Sequence, residues 1–271
     1  MGPIGIFDSG YGGLTVLKEI REILPEYDYI YLGDNARAPY GDRSFELVHE
    51  FTLQAVKYLF DKGCPLVILA CNTASAKALR NIQQNYLSIH APSKRVLGVI
   101  RPTTEEIGTY THTNCVGVLG TKGTVNSESY LIELNKFFPE LKVYQQACPL
   151  WVPIIENGAQ NTTAGRLIIE NDIKTLLKKN KDIDTIILAC THYPIIEETI
   201  KEFVGKDVTI LSQGPLTAQK LKKYLKRHES IQKSLSKNGK AVYFTSENPI
   251  TFDVHAQQIL GAEIQSKQAV W

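Results

Sequence analysis

The sequence predicts an α/β fold made of two similar parallel-sheet domains. Short β-branched or aromatic runs alternate with amphipathic stretches along the whole chain. The runs look buried on both faces, as in a parallel sheet covered by helices. Two segments also repeat at long range. Leu66-Val-Ile-Leu-Ala-Cys71-Asn72-Thr73 resembles Thr185-Ile-Ile-Leu-Ala-Cys190-Thr191-His192, with the cysteines 119 residues apart. Ile4-Gly-Ile-Phe-Asp8-Ser9 resembles Val116-Gly-Val-Leu-Gly120-Thr121 at an offset of 112. Duplication of a unit of about 100 residues accounts for both matches and implies a pseudo-twofold relation between the halves.

In chain order, strands are expected at 4–7, 29–32, 66–70, 96–100, 116–119, 185–189, 208–211 and 241–244. Each is short and bounded by Gly, Pro or polar residues. Helices are expected at 45–62, 126–138, 164–179 and 195–204, where apolar residues recur with a helical period. The stretch after about Leu211 is expected to return and complete the first half. That gives a first domain of residues 1–98 plus 210–271 and a second of 99–209. The lysine-rich segment 220–240 reads as a solvated helix face plus a loop rather than an anion site.

Composition narrows the function classes. The 271 residues are 43% hydrophobic and 21% charged, ordinary for a soluble globular protein. A net charge of +2 gives no general attraction to nucleic acid or to a membrane surface. A small anionic substrate must therefore be held by local donors. Met1-Gly2-Pro3 runs straight into Ile4-Gly5-Ile6-Phe7 without a basic, then apolar, leader, and no apolar run reaches membrane-spanning length. Five cysteines, an odd number with no CxxC, point to reduced thiols in a cytoplasmic protein.

In parallel sheets, ligands bind beyond the carboxyl ends of the strands, so chemistry is sought there. Asp8-Ser9-Gly10-Tyr11-Gly12-Gly13 follows the first strand. Its glycines allow a ligand close to the backbone, but the pattern is not GxGxxG and no Walker lysine follows. An amino acid fits better than a phosphate, with Asp8 or Ser9 accepting from the ammonium. Taken alone, the segment is equally a glycine-rich turn with Asp8 or Ser9 as a helix cap. Cys71 and Cys190 are each a small buried hydrophobe if taken singly. Placed at matching strand ends, they become candidate acid/base groups, since a free thiol titrates near pH 8.5. Cys64, Cys115 and Cys148 lack this setting.

His192 is open to metal binding, nucleophile activation or proton management. No second histidine stands at ligand spacing, which argues against metal. A Cys-His hydrolase would need one cysteine and leave the repeat unexplained. Thr121 and Thr124 carry hydroxyls suited to a carboxylate, and Tyr40 and Gly41 end an irregular loop from Gly33 that could cover a pocket. Glu156 is either a carboxylate partner for His192 or a surface acid at a helix end.

Taken together, these motifs resemble the glutamate racemases of the cofactor-independent aspartate/glutamate racemase superfamily. The matching residues are Gly5 to Thr15, Gly33-Asp34, Pro39-Tyr40-Gly41, Ala70-Cys71-Asn72-Thr73-Ala74-Ser75-Ala76, Leu119-Gly120-Thr121-Lys122-Gly123-Thr124, Cys148-Pro149-Leu150-Trp151-Val152-Pro153 and Ala189-Cys190-Thr191-His192-Tyr193-Pro194. The resemblance implies two α/β domains with the site between them. It also implies interconversion of L- and D-glutamate without cofactor or metal, for peptidoglycan synthesis. By resemblance, Cys71 takes the proton from D-glutamate and Cys190 from L-glutamate. Asp8 and His192 support proton transfer, and Glu156 partners His192. Ser9, Tyr40, Gly41, Asn72, Thr73, Thr121, Thr124, Thr191 and, with them, Asp8 and His192 contact substrate. The expected partners are glutamate and a second copy of the chain in a homodimer, with no nucleic acid and no membrane.

The chain departs from the family pattern at Asn35, where threonine is usual, and at Leu211-Ser212-Gln213-Gly214-Pro215, a variant of a Ser-Gly element. Both departures are expected to alter loop detail rather than chemistry. With Asp8 so near Met1, activity is expected without the peptidoglycan-precursor activator that some relatives with an N-terminal extension use.

Overall fold

A computed structural model describes residues 1–270. Among these residues ten strands form two wholly parallel sheets. They are β1 Ile4–Asp8, β2 Tyr29–Gly33, β3 Leu66–Leu69, β4 Arg95–Gly98, β5 Cys115–Gly120, β6 Lys142–Ala147, β7 Thr185–Ala189, β8 Thr209–Leu211, β9 Ala241–Thr245 and β10 Ser266–Gln268. The first sheet has the order β10-β9-β2-β1-β3-β4 and the second β6-β5-β7-β8. β2-β1-β3-β4 and β6-β5-β7-β8 are the same arrangement, so β1 corresponds to β5 and β3 to β7. The first sheet is extended at its β2 edge by β9 and β10.

Two of these strands fall outside the eight expected from sequence. β6 is a half-buried edge strand whose Lys, Tyr and Gln side chains hide the apolar signal. β10 is three residues long and polar. The expected strand at 96–100 ends at Gly98, because Ile100 already starts the helix Ile100–Thr104. The helix expected at 126–138 is broken at Glu128, where φ is +54°, and resumes as Ser129–Phe137.

The period-2 pattern of the strands divides the first core into two layers. Ile4, Ile6, Tyr29, Tyr31, Leu66 and Ile68 pack against Leu14, Leu17 and Ile20 of the helix Gly13–Ile23 and Leu221 and Leu225 of the helix Gln213–Arg227. On the other face, Phe7, Ile30, Leu32, Val67 and Leu69 meet Val48, Ala55, Val56 and Leu59 of the helix Phe45–Asp61. The second sheet repeats the scheme. Leu119, Ile186 and Leu188 face Ile169, Ile173 and Leu176 of the helix Thr163–Lys179, while Val116, Val118 and Ile187 face Ile100, Tyr130 and Leu134.

The segment 220–240 carries a buried apolar stripe, Leu221, Leu225, Ile231 and Leu235, beneath its exposed lysines. No helix among the described residues is long and apolar enough to cross a membrane.

Candidate active site

Four strand ends meet at one cleft. β1 ends at Asp8, β3 runs into Cys71, β5 into Thr121 and β7 into Cys190. β1 and β3 are neighbours in the first sheet, as β5 and β7 are in the second. Ser9, Tyr40, Gly41, Cys71, Asn72, Thr73, Thr121, Glu156, Cys190, Thr191 and His192 all line the cleft. Asp8 and Thr124 stand one layer behind it. The Asp8 carboxylate accepts from the Gly10 amide at 2.9 Å and the Thr191 hydroxyl at 3.2 Å. Thr124 Oγ1 lies 3.3 Å from Thr73 Oγ1 and 3.1 Å from Thr121 Oγ1. Gly10, Ala38, Pro39 and Val152 also line the cleft and were not singled out as site residues from the sequence. Gly10, Pro39 and Val152 lie inside motifs that the sequence does display, while Ala38 offers the cleft only a methyl group and carries no chemical signature.

The two cysteines occupy equivalent places in unlike surroundings. Cys71 is the N-cap of the helix Asn72–Lys77, and its Sγ accepts from the Ala74 amide at 3.4 Å. Ser9 Oγ lies 3.4 Å from the same sulfur. Burial, reinforced by the nearby Asp8 carboxylate, outweighs these contacts and pushes the Cys71 thiol up to about 12. Cys71 is therefore a thiol, an acid, at neutral pH. Cys190 has a histidine beside it, with His192 Nδ1 4.0 Å from its Sγ. On the far side of the ring, Nε2 lies 2.9 Å from Glu156 Oε1. Burial alone would lower the His192 imidazole, but hydrogen bonding and charge from Cys190 and Glu156 more than offset it and raise it to about 10. His192 is thus an imidazolium whose two N–H groups point at the sulfur and at the carboxylate. Burial raises Asp8 as well, against the opposing pull of His192 and its hydrogen bonds.

Hydroxyls supply the donors opposite. Thr73 and Thr121, one from each sheet's loops, are 2.9 Å apart across the cleft. Gly41 lies against Thr121 so closely that a Cβ there would stand 2.9 Å from the threonine Cβ. The loop bearing Tyr40 is fastened to the buried Asp34, which accepts from the Tyr40 hydroxyl, from Arg37 Nε at 2.6 Å and from Ser246 Oγ at 2.7 Å. Among the described residues, no cluster of three or more His, Cys, Asp or Glu side chains is placed to hold a metal ion. All five cysteines are free and buried. Chemically, one cleft offers the neutral thiol of Cys71, a second sulfur, Cys190, beside an imidazolium, and the hydroxyls of Thr73 and Thr121.

Comparison with known proteins places the chain in one family. The family model for Asp/Glu/hydantoin racemases matches residues 4–221. A glutamate racemase of Geobacter metallireducens is 39% identical over 96% of this chain and 93% of its own length. The crystal structure of a glutamate racemase isoform from Bacillus anthracis superposes with a TM-score of 0.90 at 36% identity, covering 99% of this chain and 97% of that one. The Francisella tularensis glutamate racemase, solved in complex with D-glutamate, gives a TM-score of 0.87 at 33% identity, covering 100% and 97%.

Proposed function

Since the chain belongs to the Asp/Glu/hydantoin racemase family and, within it, to the glutamate racemases, we propose that it interconverts L- and D-glutamate by proton transfer between two thiols. One observation carries the reading. Cys71 and Cys190 end corresponding strands of two like sheets and line the same cleft. Inversion needs a proton removed from one face of the α-carbon and delivered to the other, so it needs two groups on opposite sides.

With L-glutamate bound, Cys190 as thiolate removes the α-proton beside the His192 imidazolium and becomes the thiol, while Cys71 delivers its own proton to the other face and is left as thiolate. With D-glutamate the roles exchange. His192 and Asp8 support these transfers, and Glu156 holds the imidazole. The α-carbon is weakly acidic and the reaction has no electron sink. The negative charge that moves onto the substrate carboxylate is met by donors held in place beforehand, Thr73 and Thr121 among them, while Thr191 lines the cleft with its hydroxyl given to Asp8. Ser9 and Tyr40 complete the cradle, and residues 1–98 with 210–271 and 99–209 act as the two domains that enclose it, save that Ile210 and Leu211 of β8 pair with β7 in the second sheet. Resemblance further supports a cytoplasmic homodimer whose D-glutamate feeds peptidoglycan synthesis.

Circular dichroism of purified protein with L-glutamate and, separately, with L-aspartate tests the substrate. Loss of optical activity with glutamate alone is expected. Loss with aspartate alone would transfer the reading to an aspartate racemase.

A further inference from the structure

One buried polar cluster beside the cleft has no role in these proton transfers. Asn72 follows Cys71 directly and opens the helix Asn72–Lys77. Its carboxamide oxygen accepts from the Tyr130 hydroxyl at 2.8 Å, and its nitrogen donates to Gln213 Oε1. Gln213 Nε2 donates in turn to the Tyr130 oxygen. These three bonds form a closed ring in which every member donates to the next. Gln213 Nε2 also donates to the Val99 carbonyl at 3.3 Å. All three side chains are buried, with Tyr130 wholly inaccessible. They come from separate places: the start of the helix Asn72–Lys77 that follows β3, the helix Ser129–Phe137 that follows β5, and the start of the helix Gln213–Arg227 that follows β8. The segment around Gln213, expected from sequence to vary only in loop detail, therefore reaches the residue next to a candidate base.

A closed ring fixes which way each amide faces. Turning over either carboxamide would set donor against donor or acceptor against acceptor among buried groups, which is costly. Burial holds the Tyr130 phenol far above its usual range, so it remains a donor throughout. Two carboxamides carry four N–H groups. Gln213 directs both of its own to Tyr130 and Val99, and Asn72 directs one to Gln213. The remaining N–H belongs to Asn72, the one member of the ring that lines the cleft.

We propose that Tyr130 and Gln213 are positioning residues, which lock the Asn72 carboxamide so that its free N–H is a fixed donor to a carboxylate of the amino-acid substrate. This rests on the reading of the cleft as a glutamate site. The ring also ties the Cys71 loop to the second sheet, so the donor and the thiol beside it are set by the same contact.

Three variants test the proposal: Tyr130→Phe, Gln213→Met and the two combined. Each single change should lower kcat/KM for glutamate by about tenfold, the loss of one well-aligned hydrogen bond to a charged group. The double variant should lose no more than either single one, because breaking one link opens the whole ring. The pH profile should keep its shape. A lowered melting temperature with kcat/KM within about twofold would overturn the proposal, as would losses that multiply. Gln213→Met reads the same ring if Tyr130→Phe does not fold. Calorimetric titration with D-glutamate should follow the same order as kcat/KM. If the unaltered protein neither binds nor turns over glutamate, the proposed activity fails instead. The lock is then read in the unliganded protein, where Tyr130→Phe should speed hydrogen exchange of the Asn72 side-chain amide, and unchanged exchange would overturn it.

Discussion

At the scale of single residues, the site is built from opposed electrostatic effects on buried groups. Burial and Asp8 keep Cys71 protonated, whereas Cys190 and Glu156 keep His192 charged. The histidine has a consequence for stability. Its pKa is about 10 in the folded chain and about 6.5 when unfolded, so folding holds a proton on it that the unfolded chain releases between those values. Its stabilising contribution is complete below about pH 6.5 and disappears as pH rises toward about 10. Urea unfolding of the protein and of His192→Asn across that interval should show the unaltered protein losing stability with pH more steeply than the variant. Cys71 also costs stability above its ordinary range, but it is present in both proteins and drops out of the comparison. Parallel profiles would show that His192 is neutral in the folded state.

Secondary-structure elements decide how close the two halves of the site come. Gly12 caps the helix Gly13–Ile23, and a Cβ there would lie 2.4 Å from Thr191 Oγ1 and 2.5 Å from His192 Nδ1. The first helix of one sheet therefore touches the loop after β7 through a bare backbone. Thr15 strengthens the contact by donating to the Thr191 carbonyl at 3.0 Å. Gly12→Ala should push that loop away and displace Cys190 and His192 together. A displacement of that order lowers kcat by about 10²-fold. Steady-state kinetics would measure it, and near-normal kcat would show that the loop can yield.

The central strands were legible in the sequence because they are covered on both faces and so are apolar throughout. β6 was not, since an edge strand needs burial on fewer sides and keeps Lys142, Gln145 and Gln146. The repeat contained the missing information: the spacing from Ile4 to Tyr29, carried over from Val116, ends at Leu141, one residue before β6. Cys71, Cys190 and their threonine neighbours were visible as motifs. The role of Gln213 was not, because it depends on a contact with Asn72 across 141 residues of sequence.

At the scale of the whole molecule, two like sheets bring two like strand ends to one cleft. That arrangement suits a reaction whose substrate and product are mirror images. Because the enantiomers have equal free energy, kcat/KM is equal in the two directions at every pH. Steady-state rates therefore cannot distinguish one base from two, whereas isotopes can. The most direct test follows L-glutamate in deuterium oxide at low conversion, with chiral separation and mass analysis of both enantiomers. Two thiols predict deuterium at the α-carbon of the D-glutamate formed, while the unreacted L-glutamate keeps its hydrogen. D-glutamate that retains the original hydrogen, or deuterium entering both enantiomers equally from the start, would contradict the account.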